Sequence, residues 1–156
     1  MTQRVELATV LDRLAVDELV TGYAVAVDDG DWTAYRALFA PGGRADYRAA
    51  GGVEGGTEEI ARWLTSTMEL FPMRQHLIVN RLVRFDSVDR DIGDTARAQA
   101  DYINPMRRAG ERTAPDFVCG GRYTFGLVRT ADGWRLHRVT VHEKWRRAPD
   151  RAAPGA

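Results

Sequence analysis

The chain has one cysteine, one lysine, no excess of either charge and no long apolar run. Cys119 has no partner within the chain, which excludes an internal disulfide and suits a reducing cytoplasm. The 22 basic and 22 acidic residues cancel, so the sequence lacks the basic surplus typical of binding to nucleic acid or anionic membranes. No stretch approaches the roughly 20 apolar residues that span a bilayer. We therefore expect a cytoplasmic protein with no nucleic-acid partner and no membrane partner.

The length and the ordinary composition are those of one globular domain. A chain of 156 residues with 44% hydrophobic and 28% charged residues can bury a sizeable core. We expect a single domain over residues 1–147. The last residues, 148–156, are rich in alanine, proline and charge, and are expected to form a disordered tail. Arginine almost replaces lysine, since Lys144 is the only one, which is typical of a GC-rich bacterial genome.

Hydrophobic periodicity predicts a long first helix over residues 5–29, with a break or bend around Asp12. Gly30 follows in the position where helices commonly end. The apolar side chains recur at helical spacing and form one stripe, composed of Val16, Leu19, Val20, Tyr23 and Val27.

Two shorter helices and a strand are expected next. Asp31 is suited to be the N-cap of a helix over residues 32–39. Residues 44–49 are predicted to form a short strand. Thr57, followed by two glutamates, is expected to start a third helix that runs to about Leu70.

From Arg74 onward the apolar pattern changes to the alternation of strands. Four strands are predicted, separated by turn sequences rich in aspartate and glycine, over residues 74–86, 95–108, 116–130 and 134–145. Gly120 and Gly121 fall inside the third and are expected to mark a bulge. Helices followed by hairpin-connected strands predict an α+β fold, with three N-terminal helices packed on a curved antiparallel sheet.

This order of elements resembles the cone-shaped fold of nuclear transport factor 2, and within it the SnoaL-like group. The markers are Asp28-Asp29-Gly30-Asp31-Trp32, Leu38-Phe39-Ala40, the step Gly55-Gly56 into the third helix, and Asp132-Gly133-Trp134 before the last strand. The resemblance covers about residues 5–145 and implies a cone with an internal cavity. The fold hosts dehydratases, isomerases, cyclases, epoxide hydrolases and non-catalytic binders, so it does not fix an activity.

Three aspartates crowd the end of the first helix, where the helix dipole disfavours anions. Asp31 is explained as an N-cap, and Asp29 is expected to face water. Asp28 directly follows Val27 of the apolar stripe, so we expect it to turn inward, where an ionised carboxylate needs a partner. The alternative is a solvated carboxylate at a helix terminus.

His76 is the candidate partner of Asp28. Strand alternation places it on one face with Ile78, Asn80 and Leu82, a mixture of polar and apolar groups typical of a cavity wall. Histidine titrates near neutral pH, and a carboxylate on one ring nitrogen strengthens the other nitrogen as a base. Without further information, a lone histidine in a strand is more often structural.

The resemblance implies that Asp28 and His76 form a catalytic pair. Scytalone dehydratase, the bile-acid 7α-dehydratase and hexachlorocyclohexane dehydrochlorinase share the fold and use an Asp–His pair. In them the aspartate ends the first helix and the histidine lies early in the first long strand, and Asp28 and His76 match these positions. By this similarity His76 abstracts a proton, while Asp28 orients the ring and stabilises the imidazolium.

Two tyrosines are candidates to complete the site. Tyr23 matches a functional tyrosine of the bile-acid enzyme, and Tyr47 resembles the tyrosine through which scytalone dehydratase polarises a carbonyl. A phenol can donate to a developing enolate or protonate a leaving hydroxyl. The alternative for each is a ring at the edge of the core. Further candidates for contact with the substrate are Trp32, Asn80, Tyr102, Tyr123 and His137.

The last strand departs from the pattern of the related enzymes. The bile-acid dehydratase and the dehydrochlorinase have a functional arginine there, whereas counting from Trp134 gives Val139 in this chain. Elimination of an anionic leaving group, such as chloride or carboxylate, is therefore put in doubt. If Val139 faces the cavity, His137 is expected to share that face as a second polar contact. Arg146 is expected to belong to a solvated end.

These residues predict a cofactor-free lyase, either a dehydratase or a cyclase. Its expected substrate is a small hydrophobic carbonyl or hydroxylated molecule, and the resemblance implies a place in natural-product or aromatic metabolism. One alternative is a ketosteroid-isomerase-like proton shuttle with Asp28 as the base. Another is an epoxide hydrolase, although the chain offers no convincing Asp-Arg-Asp set. The contrasting alternative is a small-molecule binding or assembly domain without turnover.

The remaining motifs predict no metal or phosphate site. His137 and His142 differ in strand parity and are expected to point to opposite faces, and no other cluster of histidine or cysteine exists. No glycine-rich phosphate loop and no nucleophile elbow occurs. Besides its substrate, the chain is expected to bind copies of itself as a dimer or trimer, through an exposed face of the sheet.

Overall fold

The computed structural model describes residues 2–110 and 113–148 of the chain. The described helices are α1 (Thr2–Asp29), α2 (Trp32–Ala37) and α3 (Thr57–Met68), with a short 3-10 helix at Arg48–Ala50. The described strands are β1 (Phe39–Asp46), β2 (Glu54–Gly56), β3 (Met73–Arg74), β4 (Leu77–Ser87), β5 (Thr95–Arg107), β6 (Phe117–Thr130) and β7 (Gly133–Arg147).

The strands form one curled, half-barrel sheet in the order β2-β1-β7-β6-β5-β3, with β4 also paired to β5. This is an α+β architecture with three α-helices, as the sequence predicts. The expectation of a wholly antiparallel sheet is wrong at one pair, because β1 and β7 are parallel. Parallel neighbours need a long connection instead of a hairpin, and the chain between β1 and β7 supplies one.

α1 is continuous, so the predicted break near Asp12 is wrong. Asp12 lies on the buried side of the helix, and its carboxylate accepts hydrogen bonds from Trp134 Nε1 at 3.0 Å and Arg129 Nη2 at 2.9 Å. Arg129 also donates to Asp94, at 3.0 Å. The sheet therefore satisfies this buried carboxylate, and the helix continues through Asp12 without a break.

The core lies between the helices and the inner face of the sheet. The stripe predicted for α1 packs inward, with Val16, Val20, Tyr23 and Val27 all at most 3% exposed. They meet apolar side chains of β6 and β7, of which Phe125 is fully buried. This packing fixes the rotation of α1, and so determines which side chains at its C-terminal end turn inward.

The ends of α1 and α2 follow the capping residues predicted for them. Gly30 adopts φ 67°, a left-handed conformation that ends α1. The Asp31 side chain accepts a hydrogen bond from the amide of Ala34 at 2.9 Å and caps α2.

α3 begins at Thr57 as expected, although Gly56 is its N-cap. β1 begins at Phe39, earlier than the predicted strand, because α2 ends at Ala37.

Bulges interrupt the alternation of inward and outward side chains at several points. One lies between Val79 and Leu82 of β4, where Asn80 has φ 52°. Another lies at Gly120 and Gly121, as predicted, where a Cβ on Gly121 would come within 2.1 Å of a backbone oxygen. A third shifts the pairing of β6 with β7 opposite His137. Each added residue reverses the face of the residues that follow it.

Three expectations stay predictions at this point. They are the closed cone around an internal cavity, the single domain over residues 1–147, and the disordered tail, which lies outside the described residues except for Ala148. Among the helices that the structure describes, none is long and apolar enough to cross a bilayer.

Candidate active site

Asp28 and His76 come together at the junction of α1 with the sheet. His76 follows β3 and directly precedes β4, so its backbone passes the C-terminal end of α1. Asp28 Oδ1 is 2.6 Å from His76 Nδ1, and Asp28 Oδ2 accepts a hydrogen bond from the His76 amide at 2.7 Å. Both carboxylate oxygens are therefore occupied, which fixes the position of the imidazole ring.

The contact determines which ring nitrogen of His76 carries the proton. An ionised carboxylate can only accept, so Nδ1 donates to Asp28 and Nε2 of the neutral ring keeps a lone pair. The His76 side chain is only 5% exposed, and that of Asp28 is 19% exposed. The carboxylate lies behind the ring, and the ring lines the pocket described below. This is the arrangement of a general base with an orienting carboxylate.

Arg74 holds the end of α1 and the end of α3 together beside this pair. Its Nε donates to the carbonyl of Val27 at 2.7 Å, and its Nη1 donates to the carbonyl of Phe71 at 2.9 Å. Burial lowers the pKa of the guanidinium, while Asp28 and Asp29 act in the opposite direction. Arg74 thus places a positive charge among the acidic residues of the helix end, a compensation that sequence reasoning missed.

A pocket of about 260 Å³ opens beside His76. Its polar groups are few: His76, Asn104, several tyrosines, Thr67, and the pair Glu143 and Arg146. Most of the remaining wall is apolar and includes Val27, Trp63, Leu64, Met68, Phe71 and Phe117. A pocket with a few polar groups in a largely apolar wall suits a small hydrophobic ligand.

All five tyrosines of the chain lie together, and four of them line this pocket. The hydroxyls of Tyr23 and Tyr47 form a hydrogen bond with each other. The hydroxyl oxygen of Tyr35 lies 3.2 Å from the hydroxyl oxygen of Tyr47. Tyr123 packs on Tyr23 with ring centroids 5.2 Å apart, and on Tyr102 with centroids 4.6 Å apart. Tyr35 is the member that lies behind the pocket wall. The sequence had offered four of the five as candidates.

Burial raises the pKa of every one of these phenols above its ordinary value of about 10. For Tyr23, Tyr47 and Tyr123 the neighbouring phenols add to the effect, because each phenolate would repel the next. The tyrosines therefore stay protonated across the physiological range. They can serve as hydrogen-bond donors to an oxygen that gains negative charge, and not as bases.

Asn104 is a site residue that sequence reasoning missed. It lies on β5, is 4% exposed, and its Nδ2 is 3.0 Å from His76 Nε2. Because Nε2 of the neutral ring accepts, the Asn104 amide donates. The available signal was strand parity, since Asn104 lies two residues after Tyr102 on the same face of β5, and both line the pocket.

Arg146 is exposed, as expected of a solvated end, but it also belongs to the last strand and to the pocket wall. β7 extends to Arg147, and Arg146 lines the mouth of the pocket together with Glu143. The guanidinium pairs with the Glu143 carboxylate, donates to the carbonyl of Ala50 at 3.1 Å, and lies over the ring of Phe117. The single arginine and the single carboxylate among the lining residues thus neutralise each other.

Asn80 and Trp32, predicted to contact the substrate, lie away from the pocket. Asn80 is exposed and donates to Asp101 at 3.2 Å on the outer face of the sheet. The bulge at this position reverses the alternation, so that Val83 and Phe85 are the next side chains to pack inward. Trp32 packs edge-on against Tyr35, with centroids 6.1 Å apart, at the start of α2.

His137 does not share a face with Val139, so the predicted second polar contact is absent from the pocket. Val139 is fully buried, whereas His137 is exposed, because the bulge opposite His137 adds one residue to β7. The same shift makes His137 and His142 both exposed, contrary to the expected opposite faces. Within residues 2–110 and 113–148, no group of three or more histidine, cysteine or acidic side chains is placed to hold a metal ion.

Cys119 lies on the pocket wall with a raised pKa. Burial raises the pKa of its thiol to about 11, and the Glu143 carboxylate acts in the same direction. The thiol is therefore protonated near neutral pH, which makes it a poor nucleophile. It forms part of the wall instead.

Comparison with known proteins agrees with the sequence markers. Residues 8–140 match the SnoaL-like domain. An uncharacterized protein of Mycobacterium tuberculosis is 37% identical over 132 residues, which cover 85% of each chain. An uncharacterized protein of Mycobacterium bovis has the same identity and the same coverage.

Solved structures with the same fold include enzymes. A candidate scytalone dehydratase from Novosphingobium aromaticivorans superposes with a TM-score of 0.73 at 18% identity, covering 98% of this chain and 99% of that one. LinA gives a TM-score of 0.73 at 16% identity, covering 99% and 100%. A nuclear transport factor 2-like protein from Salmonella enterica gives 0.67 at 20% identity, covering 94% and 97%. At these identities the likeness shows the fold alone.

Proposed function

The chain belongs to the SnoaL-like domain family, and from this premise we propose that it is a cofactor-independent lyase, a dehydratase or cyclase. The proposed reaction begins with removal of a carbon-bound proton from a small hydrophobic carbonyl or hydroxylated molecule. The observation that supports this proposal is the Asp28–His76 contact, with the ring of His76 on the pocket and the carboxylate behind it.

His76 acts as the general base in this mechanism. Nε2 takes the proton from carbon, and the electron pair of the broken C–H bond moves toward the adjacent carbonyl or the new double bond. The imidazolium that forms lies 2.6 Å from the Asp28 carboxylate, which offsets its charge in a largely apolar environment. The second oxygen of Asp28 stays bonded to the His76 amide and keeps the carboxylate in place.

The tyrosines receive the charge that develops on oxygen. Tyr23 and Tyr47 are buried, protonated and hydrogen-bonded to each other on the pocket wall. A hydroxyl from this pair donates a hydrogen bond to the enolate oxygen in a cyclase. In a dehydratase it protonates the departing hydroxyl so that water leaves, and the phenolate then regains a proton while the His76 imidazolium loses the one it took. Burial favours this role because a buried donor stabilises a developing charge more than one in water.

The pocket supports an uncharged substrate with one or two rings. Its wall is mainly apolar, and its volume of about 260 Å³ limits the size of the ligand. The charges of Glu143 and Arg146 at its mouth are already paired with each other. The related folds of LinA and of the candidate scytalone dehydratase add support for chemistry on small molecules, although those activities belong to those proteins.

The test is exchange of carbon-bound protons, which needs no knowledge of the natural substrate. 2-Tetralone carries acidic protons beside a carbonyl and is small enough for the pocket. In deuterated buffer, we expect the wild-type protein to accelerate the loss of its C1 proton signals over buffer alone. Because a general base contributes about 100- to 10,000-fold, His76→Ala and Asp28→Asn should each lose about 100-fold or more of this acceleration.

Two variants control for changes of charge and surface. Asp29→Asn removes the neighbouring exposed carboxylate, and His142→Ala removes an exposed histidine. Both should keep the wild-type exchange rate. Wild-type rates in His76→Ala and Asp28→Asn would end the proposal, as would an equal loss in the two control variants.

A further inference from the structure

The lone pair that would act as the base is already occupied. Asn104 Nδ2 donates to His76 Nε2 at 3.0 Å, along the direction from which a substrate proton would have to arrive. A carbon-bound proton is a poor hydrogen-bond donor and cannot displace an amide by itself. Proton abstraction therefore requires that the Asn104 amide first move away from Nε2, and an interaction that draws the amide away makes abstraction faster.

The other end of the same amide has no partner. Asn104 Oδ1 is buried, and it is the one buried side-chain polar atom that lacks a hydrogen bond within residues 2–110 and 113–148. A buried amide oxygen without a donor is unfavourable, because the water it leaves is not replaced. In this conformation Nδ2 of Asn104 has a hydrogen-bond partner, whereas Oδ1 has none.

Neighbouring polar groups of the pocket are already bonded to one another. Tyr23 and Tyr47 are protonated and bonded to each other, and Glu143 is paired with Arg146 at the mouth. Asn104 lines the pocket, and its unpaired Oδ1 therefore offers an acceptor to a hydroxyl on the substrate.

We propose that Asn104 is a specificity-determining residue that admits substrates with an O–H or N–H donor beside the acidic C–H. The donor pairs with Asn104 Oδ1, the amide turns away from His76, and Nε2 becomes free to take the proton. Molecules of the same shape without a donor, such as 2-tetralone, reach Nε2 only when the amide moves away unaided, so their protons exchange more slowly. This inference rests on the proposed function, since it describes how the same base is uncovered.

The test compares two probes that differ only in the donor: 2-naphthol, and 2-methoxynaphthalene, in which the oxygen is methylated. By isothermal titration calorimetry we expect the wild-type protein to bind 2-naphthol about fivefold more tightly, because pairing the buried Oδ1 gains more than loss of the bond from Nδ2 to Nε2 costs. Asn104→Leu should abolish the preference. Asn104→Asp, which has the same shape and keeps an acceptor oxygen, should retain it. Thr67→Val removes another pocket hydroxyl and should leave the preference unchanged.

A spectroscopic signature separates this role from a structural one. On addition of 2-naphthol, the side-chain amide resonances of Asn104 and the Nε2 resonance of His76 should shift together as their hydrogen bond breaks. 2-Methoxynaphthalene should leave both in place. This measurement needs only the wild-type protein, so it decides the matter even if Asn104→Leu does not fold.

The results that overturn the proposal are clear. They are equal affinity of the wild type for both probes, including absence of binding by both, or a preference that survives in Asn104→Leu. His76→Ala distinguishes this failure from failure of the proposed base, because it should keep the preference for 2-naphthol while losing proton exchange. Loss of the preference in His76→Ala alone would show that His76, and not Asn104, binds the hydroxyl.

Discussion

His76 gains its chemistry from two neighbours, one on each ring nitrogen. Asp28 can be paired with it from the sequence, because a carboxylate that follows a buried stripe needs a partner and the family resemblance supplies one. Asn104 could not be paired with His76 in this way, because strand parity with Tyr102 indicates its face of β5 and not its contacts. The catalytic roles of these residues remain proposals, whereas their contacts are features of the structure.

The tyrosine cluster gives a prediction about alkaline pH. Because burial raises the pKa of all five phenols, none should ionise in the folded protein at pH 10.5, where about three-quarters of free phenols are ionised. Absorbance at 295 nm, which reports tyrosinate, should stay near its neutral value in the native protein and rise fully in denaturant.

The raised pKa values of the phenols also make the free energy of unfolding depend on pH. A pKa raised in the folded state contributes stability that is fully present below the unfolded value of about 10 and is lost as the pH rises through the folded values. The free energy of unfolding should therefore fall steeply above pH 10. A native titration that coincides with the titration in denaturant would show that the phenols are solvated.

The end of α1 and the starts of α2 and α3 followed from sequence signals, whereas the start of β1 and the faces of the strands did not. Gly30 and Asp31 end and cap helices as predicted, because capping depends on local chemistry. The predicted faces of Asn80 and His137 were wrong because a bulge adds one residue to each strand and reverses the alternation of side chains. Neither residue type indicates a bulge. The glycine pair in β6 did predict a bulge correctly, and the structure gives the reason: a side chain at Gly121 would clash with the backbone.

The anchoring of α1 to the sheet gives a second prediction. Although burial works against the charged form, hydrogen bonds from Arg129 and Trp134 lower the pKa of Asp12. Asp12→Asn breaks the ion pair, and we expect it to lower the free energy of unfolding at pH 7 by about 1–3 kcal/mol in chemical denaturation. The difference from wild type should narrow below about pH 4, because a lowered pKa contributes stability that is lost as the pH falls.

Asp17→Asn is the matched control for this measurement. Asp17 lies on the same helix and pairs with Arg81, but its side chain is 50% exposed. An exposed pair contributes about 1 kcal/mol or less, so this variant should change stability by less than Asp12→Asn does. Equal effects of the two substitutions would contradict a special role of Asp12 in holding α1.

For the molecule as a whole, the order of helices and strands was enough to predict the α+β class and the family. The parallel pairing of β1 with β7 was not predictable, because periodicity along one strand says nothing about the direction of its neighbour. The exposed face of the sheet carries an apolar row across neighbouring strands, formed by Leu77, Ile103 and Trp145.

The homo-oligomer stays a prediction, and this row is where we expect a second copy to bind. Leu77 pairs with Ile103, and Trp145 covers Gly120 in the next position of the same row, so the patch is contiguous. Sedimentation velocity should show a dimer or trimer that Ile103→Arg dissociates. Ile92→Arg, at an exposed turn outside the row, should leave the assembly intact. A monomeric wild type would refute the prediction.

The most direct test of the central claim is the protonation pattern of the His76 ring. Nitrogen-15 NMR of the imidazole at pH 9 distinguishes a ring protonated at Nδ1 from one protonated at Nε2. The Asp28 contact predicts a hydrogen-bonded proton on Nδ1 and an unprotonated Nε2, with this preference lost in Asp28→Asn. A wild-type ring with its proton on Nε2, or a spectrum unchanged in Asp28→Asn, would contradict the claim that Asp28 prepares His76 to act as a base.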